Sequence, residues 1–287
     1  MTLPELDCDD LVMGSGMAGL AFAARMAHAG RRVILVEAHE VPGGYAHTFE
    51  LGRYRFCAQV HYIFGCRAGG SVHGLLDDLG LVDRVPFLEL DPDGYDHVVV
   101  ADQRYRIPSG WEAFRQRMIG LFPDEAGALH RYFDTIRDLE DELSRLPDSI
   151  GLADLLSAPF RFPRLIRMRR WTLARLFDEL RLSPRARTVL AGQCGDYLLP
   201  PSQVSLLLHA TLVTAYGAGA FYPRHHYSRL VETLVESIRA QPGCEVLLEH
   251  EVQHIQVSRR RVDSVHTANG RTLRADRYVS NMDPRAT

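Results

Sequence analysis

The chain has 287 residues, of which 46% are hydrophobic and 24% charged, with a formal net charge of −3. That length accommodates about two domains with a real core, and the near-neutral balance gives no sign of a nucleic-acid binder. All 33 cationic side chains are Arg, so any chemistry through a lysine Schiff base is excluded.

In chain order, Asp10-Leu11-Val12-Met13 reads as a buried strand. The fingerprint Gly14-x-Gly16-x-x-Gly19 comes next, then an Ala-rich helix over Met17 to His28 that stops near Gly30. Arg32 to Val36 is a second strand, closed by Glu37. In such a βαβ unit the first glycine makes the tight turn and the second lets backbone approach a diphosphate. The third lets helix and strand pack closely, and the helix start offers free N–H groups to the anion. A carboxylate at the end of the second strand accepts from both hydroxyls of an adenosine ribose and repels a 2′-phosphate. The first forty residues therefore predict a dinucleotide site.

Beyond Glu37 come the pair Gly43-Gly44, then Tyr45 to Phe49, and a short hairpin-like segment through Tyr54-Arg55-Phe56 into Val60 to Gly65. The spacing predicts a helix over 70–81, two short strands over 98–107, and helical character over 111–146. One apolar face there holds Phe114, Met118, Leu121, Leu129, Tyr132, Phe133, Ile136 and Leu139. Helices are expected over 173–182, 184–194, 202–216 and 227–239, the last closed by Pro242-Gly243. The period then changes to strands over 245–248, 252–257, 261–268 and 272–274, with Asn269-Gly270 as a turn, and a final strand over 277–280.

Gly14-Ser15-Gly16-Met17-Ala18-Gly19-Leu20, Val36-Glu37, Gly43-Gly44, His47-Thr48-Phe49 and His61-Tyr62-Ile63 together resemble the phytoene desaturase, carotenoid isomerase and retinol saturase family. Gly219 to Pro223, Glu251-Val252 and Ala275 to Asn281 agree in order and spacing. The resemblance implies an α/β fold: a glutathione-reductase-like FAD-binding Rossmann domain with an inserted, mainly helical substrate domain. The corresponding boundaries are 1–97 and 217–287 for the FAD domain and 98–216 for the substrate domain. Relatives return once more to the FAD domain beyond the point where this chain stops, so that return is expected to be missing. The implied cofactor is FAD, held by Gly14, Ser15, Gly16, Met17, Ala18 and Gly19 at the diphosphate and by Glu37 and Ala38 near the ribose. Gly43 and Gly44 would serve the far side of the diphosphate and the backbone of Val252 the adenine, with His47 and Thr48 also among the cofactor-binding residues. The implied chemistry is desaturation, saturation or isomerisation of carbon–carbon bonds in a lipophilic polyene or terpenoid. Two other readings stay open: a truncated, silent chain that needs a second polypeptide to complete the fold, and amine or amino-acid oxidation on the same scaffold.

Two departures stand out. Where relatives carry Phe-Asp-x-Gly, this chain reads Phe56-Cys57-Ala58-Gln59, which is expected to bring the Gln59 side chain towards the flat ring. The pair His225-His226 replaces a glycine pair and is expected to cap or sit at the surface.

His61 and Tyr62 are candidate catalytic residues, because saturating a double bond needs a proton as well as a hydride; a packed aromatic pair is the alternative. His250-Glu251-Val252-Gln253-His254 spells a zinc-protease pattern, but strand-like flanks would hold its histidines about 13 Å apart, so no metal is expected. Arginines 161, 164, 167, 169, 170 and 175 interleave with Phe162, Leu165, Ile166, Met168 and Trp171. That pattern suits either a solvated basic helix or peripheral contact with an anionic membrane through residues 160–175. The five cysteines are odd in number and scattered, and the chain starts almost directly in its first strand. A cytoplasmic protein is expected, peripheral to the inner face of the membrane where that contact forms.

Overall fold

A computed structural model describes residues 7–147, 149–285 and 287; the expected near-direct start into the first strand rests on residues that lie outside them. The chain divides into two compact units, one built from residues up to Leu88 together with Phe221–Thr287, the other from Glu89–Ala220.

The first unit is organised by a four-stranded parallel sheet, in the order Ala275–Ser280, Cys8–Met13, Val33–Val36, Glu245–Leu247. Asp10 pairs with Val33 and Met13 with Val36, while Met13 also faces Ser280 on the other side. Alternation along these strands splits the core in two. Val12, Val33 and Leu35 pack with the fingerprint helix Met17–His28 and the helix His226–Arg239. Leu11, Met13, Ile34 and Val36 pack with Val265 and Leu273 from a three-stranded antiparallel sheet. Both faces are covered, which explains why Val33–Val36 is buried at every position instead of alternating with polar residues. Within the strand Cys8–Met13, Asp10 is fully buried and takes hydrogen bonds from Arg31 and Arg277. Burial alone would raise its pKa; the two guanidiniums overcome that and hold it below the usual carboxylate range.

The second unit is mainly helical. Phe114, Met118, Leu129, Tyr132, Phe133, Ile136 and Leu139 are buried as the expected apolar face, together with Leu173, Leu176, Phe177 and Leu206. Leu121 is the exception and lies 43% exposed. The expected helix over 111–146 is two helices, Trp111–Leu121 and Ala126–Ser144, with a 3₁₀ turn Pro123–Glu125 between them. Phe122 precedes proline and takes an extended φ of −132°, which ends the first helix and leaves Leu121 outside the core. The helix over 184–194 likewise ends at Leu190, and that over 202–216 starts at Leu206 after Ser205. Two helices that the sequence pattern left unplaced, Leu152–Arg161 and Pro163–Met168, lie in the chain between Ala126–Ser144 and Leu173–Leu180. Among the described residues, no helix is long and apolar enough to cross a membrane.

Candidate functional site

The turn that leaves the first strand carries the site. Gly14 N–H donates to the Val36 carbonyl, tying the turn to the end of the second strand at 2.8 Å. A Cβ on Gly19 would sit 2.2 Å from the Gly14 carbonyl oxygen, so only glycine lets the helix start this close to the strand. A Cβ on Gly16 would meet the Asn281 side-chain amide at 2.6 Å. Asn281 is held there by its own N–H, which donates to Met13 O at 2.8 Å and extends the parallel pairing by one residue. The Asn281 amide thus lies against Gly16 and Gly19 at the helix start, where the first N–H groups have no intrahelical partner.

Ser15 and Glu37 form the polar floor. Both are buried, Ser15 completely and Glu37 to 8% exposure. Ser15 N–H and Oγ–H donate to Glu37 Oε2 at 2.7 and 2.6 Å, and His39 N–H donates to Oε1 at 3.0 Å. Burial pushes the Glu37 pKa up, but the hydrogen bonds from Ser15 and His39 win and hold it below the usual glutamate range. A carboxylate offers about four acceptor positions, so one on Oε1 is left for an incoming hydroxyl. Fixed negative charge at this point opposes a 2′-phosphate.

The glycine pair closes the other side. Gly43 bridges Gly16 in parallel, and its N–H donates to the Ser15 carbonyl at 3.1 Å and lies 3.2 Å from Ser15 Oγ. His47 Nδ1 lies 2.7 Å from the Gly44 carbonyl, and Thr48 Oγ1 lies 2.8 Å from His226 Nδ1. Ala38 and Ala18 are exposed and Met17 is half-buried. His250 N–H donates to the Glu37 carbonyl at 2.7 Å, which brings the strand Val252–Ser258 to the carboxylate end of the turn. Val252, half-buried, begins that strand opposite Thr267. Gly14 to Gly19, Glu37, Gly43-Gly44 and the approach to Val252 are therefore joined by backbone contacts.

His61 is exposed and Tyr62 half-buried, in a segment pinned by reciprocal hydrogen bonds between Ile63 and Phe221. Gln59 is exposed, with its N–H donating to the Tyr45 carbonyl at 3.2 Å, and Cys57 Sγ points to the same carbonyl. In the zinc-like pattern, His254 lies on a strand and faces His266 across it, with ring centroids 5.9 Å apart. His226 opens its helix and meets Thr48, a pairing across 178 residues that the sequence pattern did not offer. Asn281 appeared in the sequence pattern only as a family letter; its place over Gly16 had no local signal.

The fit to an adenine dinucleotide rests on this geometry: a turn at a helix start that only glycines fit, and a buried carboxylate with an acceptor position to spare. Residues 17–287 match the family model described as flavin containing amine oxidoreductase. Over 96% of its length the chain is 30% identical to all-trans-retinol 13,14-reductase of Rattus norvegicus, covering 46% of that protein. It is 22% identical to prolycopene isomerase 2, chloroplastic, of an Oncidium hybrid cultivar, over 95% of this chain and 48% of the other. Among solved structures, a putrescine oxidase variant redesigned in cofactor binding superposes with a TM-score of 0.70 at 16% identity, over 98% of this chain and 59% of that one. The chain spans about half the length of the curated relatives it matches.

Proposed function

The chain belongs to the flavin containing amine oxidoreductase family, an FAD-dependent family, and on that basis we propose that it serves redox or isomerisation chemistry on carbon–carbon bonds of a lipophilic polyene or terpenoid. The similarity to a retinol reductase over 96% of this chain carries the reading. The buried Ser15–Glu37 floor and the glycine cradle support the cofactor half of it.

In this reading Gly14, Ser15, Gly16, Met17, Ala18 and Gly19 hold the diphosphate, helped by Asn281. Glu37 and Ala38 orient the ribose, Val252 the adenine, and Gly43, Gly44, His47 and Thr48 flank the diphosphate. When bound, FAD supplies two-electron exchange with a carbon–carbon bond or promotes its isomerisation. His61 and Tyr62 serve as the proton donors that saturation requires, with the exposed imidazole able to reload from water. The helical segment 98–216 serves as the substrate domain, inserted in the chain between the two parts of the FAD domain. The arginine-rich stretch 160–175 rests on an anionic membrane, the phase in which a polyene dissolves.

Incubating the flavin-loaded protein, once with its flavin reduced and once with it oxidised, with a polyene alcohol and with a carotene tests this. A product heavier or lighter by two hydrogens, or an isomer of unchanged mass, agrees. Peroxide release with a diamine, and no change in any polyene, would select amine oxidation instead, the reading favoured by the putrescine oxidase likeness.

A further inference from the structure

The helix Leu152–Arg161 is built inside out. Its large apolar side chains recur at i, i+3, i+4 and i+8, a single helical stripe, yet that stripe points to solvent. Leu152 is 74% exposed, Leu155 61%, Leu156 71% and Phe160 88%, and Ile150 just before the helix is 63% exposed. The residues turned towards the protein are Asp154, Ser157 and Ala158, and no residue of the helix is buried. The polar side is not idle: Asp154 receives the Gly151 N–H at 3.1 Å and pairs with Arg161 at 2.9 Å. The helix is thereby capped and closed on itself while its apolar face stays exposed among the described residues.

The next segment of the chain is basic and anchored. Phe162 is 3% exposed, and Glu142 accepts the Arg164 and Leu165 N–H groups at 3.2 and 2.8 Å, fixing the helix Pro163–Met168 to Ala126–Ser144. Arg164 is compensated by Asp138 at 2.5 Å. Arg167, Arg169 and Arg170 are exposed, and none has a carboxylate partner among the described residues. An uncovered apolar stripe joined to uncompensated guanidiniums complements a surface that is anionic outside and hydrocarbon within.

We infer that Leu152–Arg161 inserts its Leu152, Leu155, Leu156 and Phe160 face into an anionic phospholipid leaflet, with Arg167, Arg169 and Arg170 engaging the headgroups. This deepens the membrane contact proposed above, and rests on it, by moving the penetrating element from the arginine stretch to the helix before it. Apolar burial sets the depth and the arginines set the preference for anionic lipid.

The test is co-sedimentation of the full chain with phosphatidylcholine vesicles, with and without phosphatidylglycerol. Two double variants are compared, Leu155→Ser with Leu156→Ser and Arg167→Glu with Arg170→Glu. Wild type is expected to bind the anionic vesicles. Both variants should bind less, the leucine pair by about 100-fold, at roughly tenfold for each side chain withdrawn from hydrocarbon. Phe160→Trp, which keeps the apolar face, should show blue-shifted emission quenched by lipids brominated in the acyl chains. If the arginine pair loses binding while the leucine pair binds as wild type and the introduced indole is unquenched, insertion is overturned and surface contact stands. No binding of wild type to any vesicle overturns both. A leucine pair that instead converts a vesicle-free dimer to monomer shows that a second copy covers the stripe, which also overturns insertion.

Discussion

Replacing Glu37 by Gln keeps the size of the side chain and reverses the polarity of half of it. The carboxylate accepts from Ser15 N–H, Ser15 Oγ–H and His39 N–H. A carboxamide has one acceptor oxygen and one donor group, so either the Ser15 or the His39 N–H must face another donor. A buried N–H left without a partner costs about 1–3 kcal/mol, and hydrogen bonds to a charged group are worth about 1.5–3 kcal/mol against about 1 for neutral ones. Relief of the carboxylate's desolvation returns part of this. The net loss is about 2–4 kcal/mol, or a fall of roughly 5–15 °C in the melting temperature of a unit of this size. The folded-state pKa of Glu37 is depressed, so its contribution is complete above the ordinary glutamate pKa and is lost as pH falls through the lower folded value. Thermal unfolding at neutral and acid pH is the assay. The variant should melt lower at neutral pH, and the gap should close on acidification below the glutamate range. Equal melting temperatures at neutral pH, or a gap indifferent to acid, would refute the reasoning about this floor.

The same structure sets three further outcomes. Gly19→Ala drives a methyl to within 2.2 Å of a backbone oxygen; it should cost about 1–3 kcal/mol or more, read by chemical denaturation, and reduce FAD retention because the helix start must shift. His209 is fully buried with Nδ1 lacking a hydrogen-bond partner, and burial pushes its pKa down to about 4. The unfolded chain therefore takes up a proton near pH 6.5 while the folded one resists until about 4, so stability falls by about 3 kcal/mol as pH drops across that window. His209→Gln, which can still meet the Tyr132 hydroxyl, should flatten the profile; parallel profiles for the two proteins would contradict this. His61→Ala should lower turnover by about 100-fold or more with FAD content unchanged; parallel loss of both would make His61 a packing residue.

The parts of the site legible from sequence are those made by neighbours in the chain. The Gly14 to Gly19 turn, the strands around it and Glu37 follow from local spacing, because the βαβ unit closes within forty residues. The contacts that finish the cradle come from afar. Asn281 reaches Gly16, Thr48 meets His226, and His250 reaches Glu37, and no short-range pattern announces any of them. The helix Leu152–Arg161 shows the converse difficulty. Its Leu and Phe spacing is that of an ordinary core-facing helix, and periodicity cannot tell whether a stripe points to a core or, as here, to solvent. The His250 to His254 pattern was resolved by its setting, since strand-forming flanks override a motif that needs a helix.

The most direct measurement is a calorimetric titration of FAD into the flavin-free chain, repeated with ADP and with 2′-phosphorylated ADP as competitors. A diphosphate over the Gly16 turn and a ribose on Glu37 predict one FAD per chain, displaced by ADP and barely by its 2′-phosphorylated form. Failure to take up FAD, or equal displacement by the two competitors, would contradict that placement.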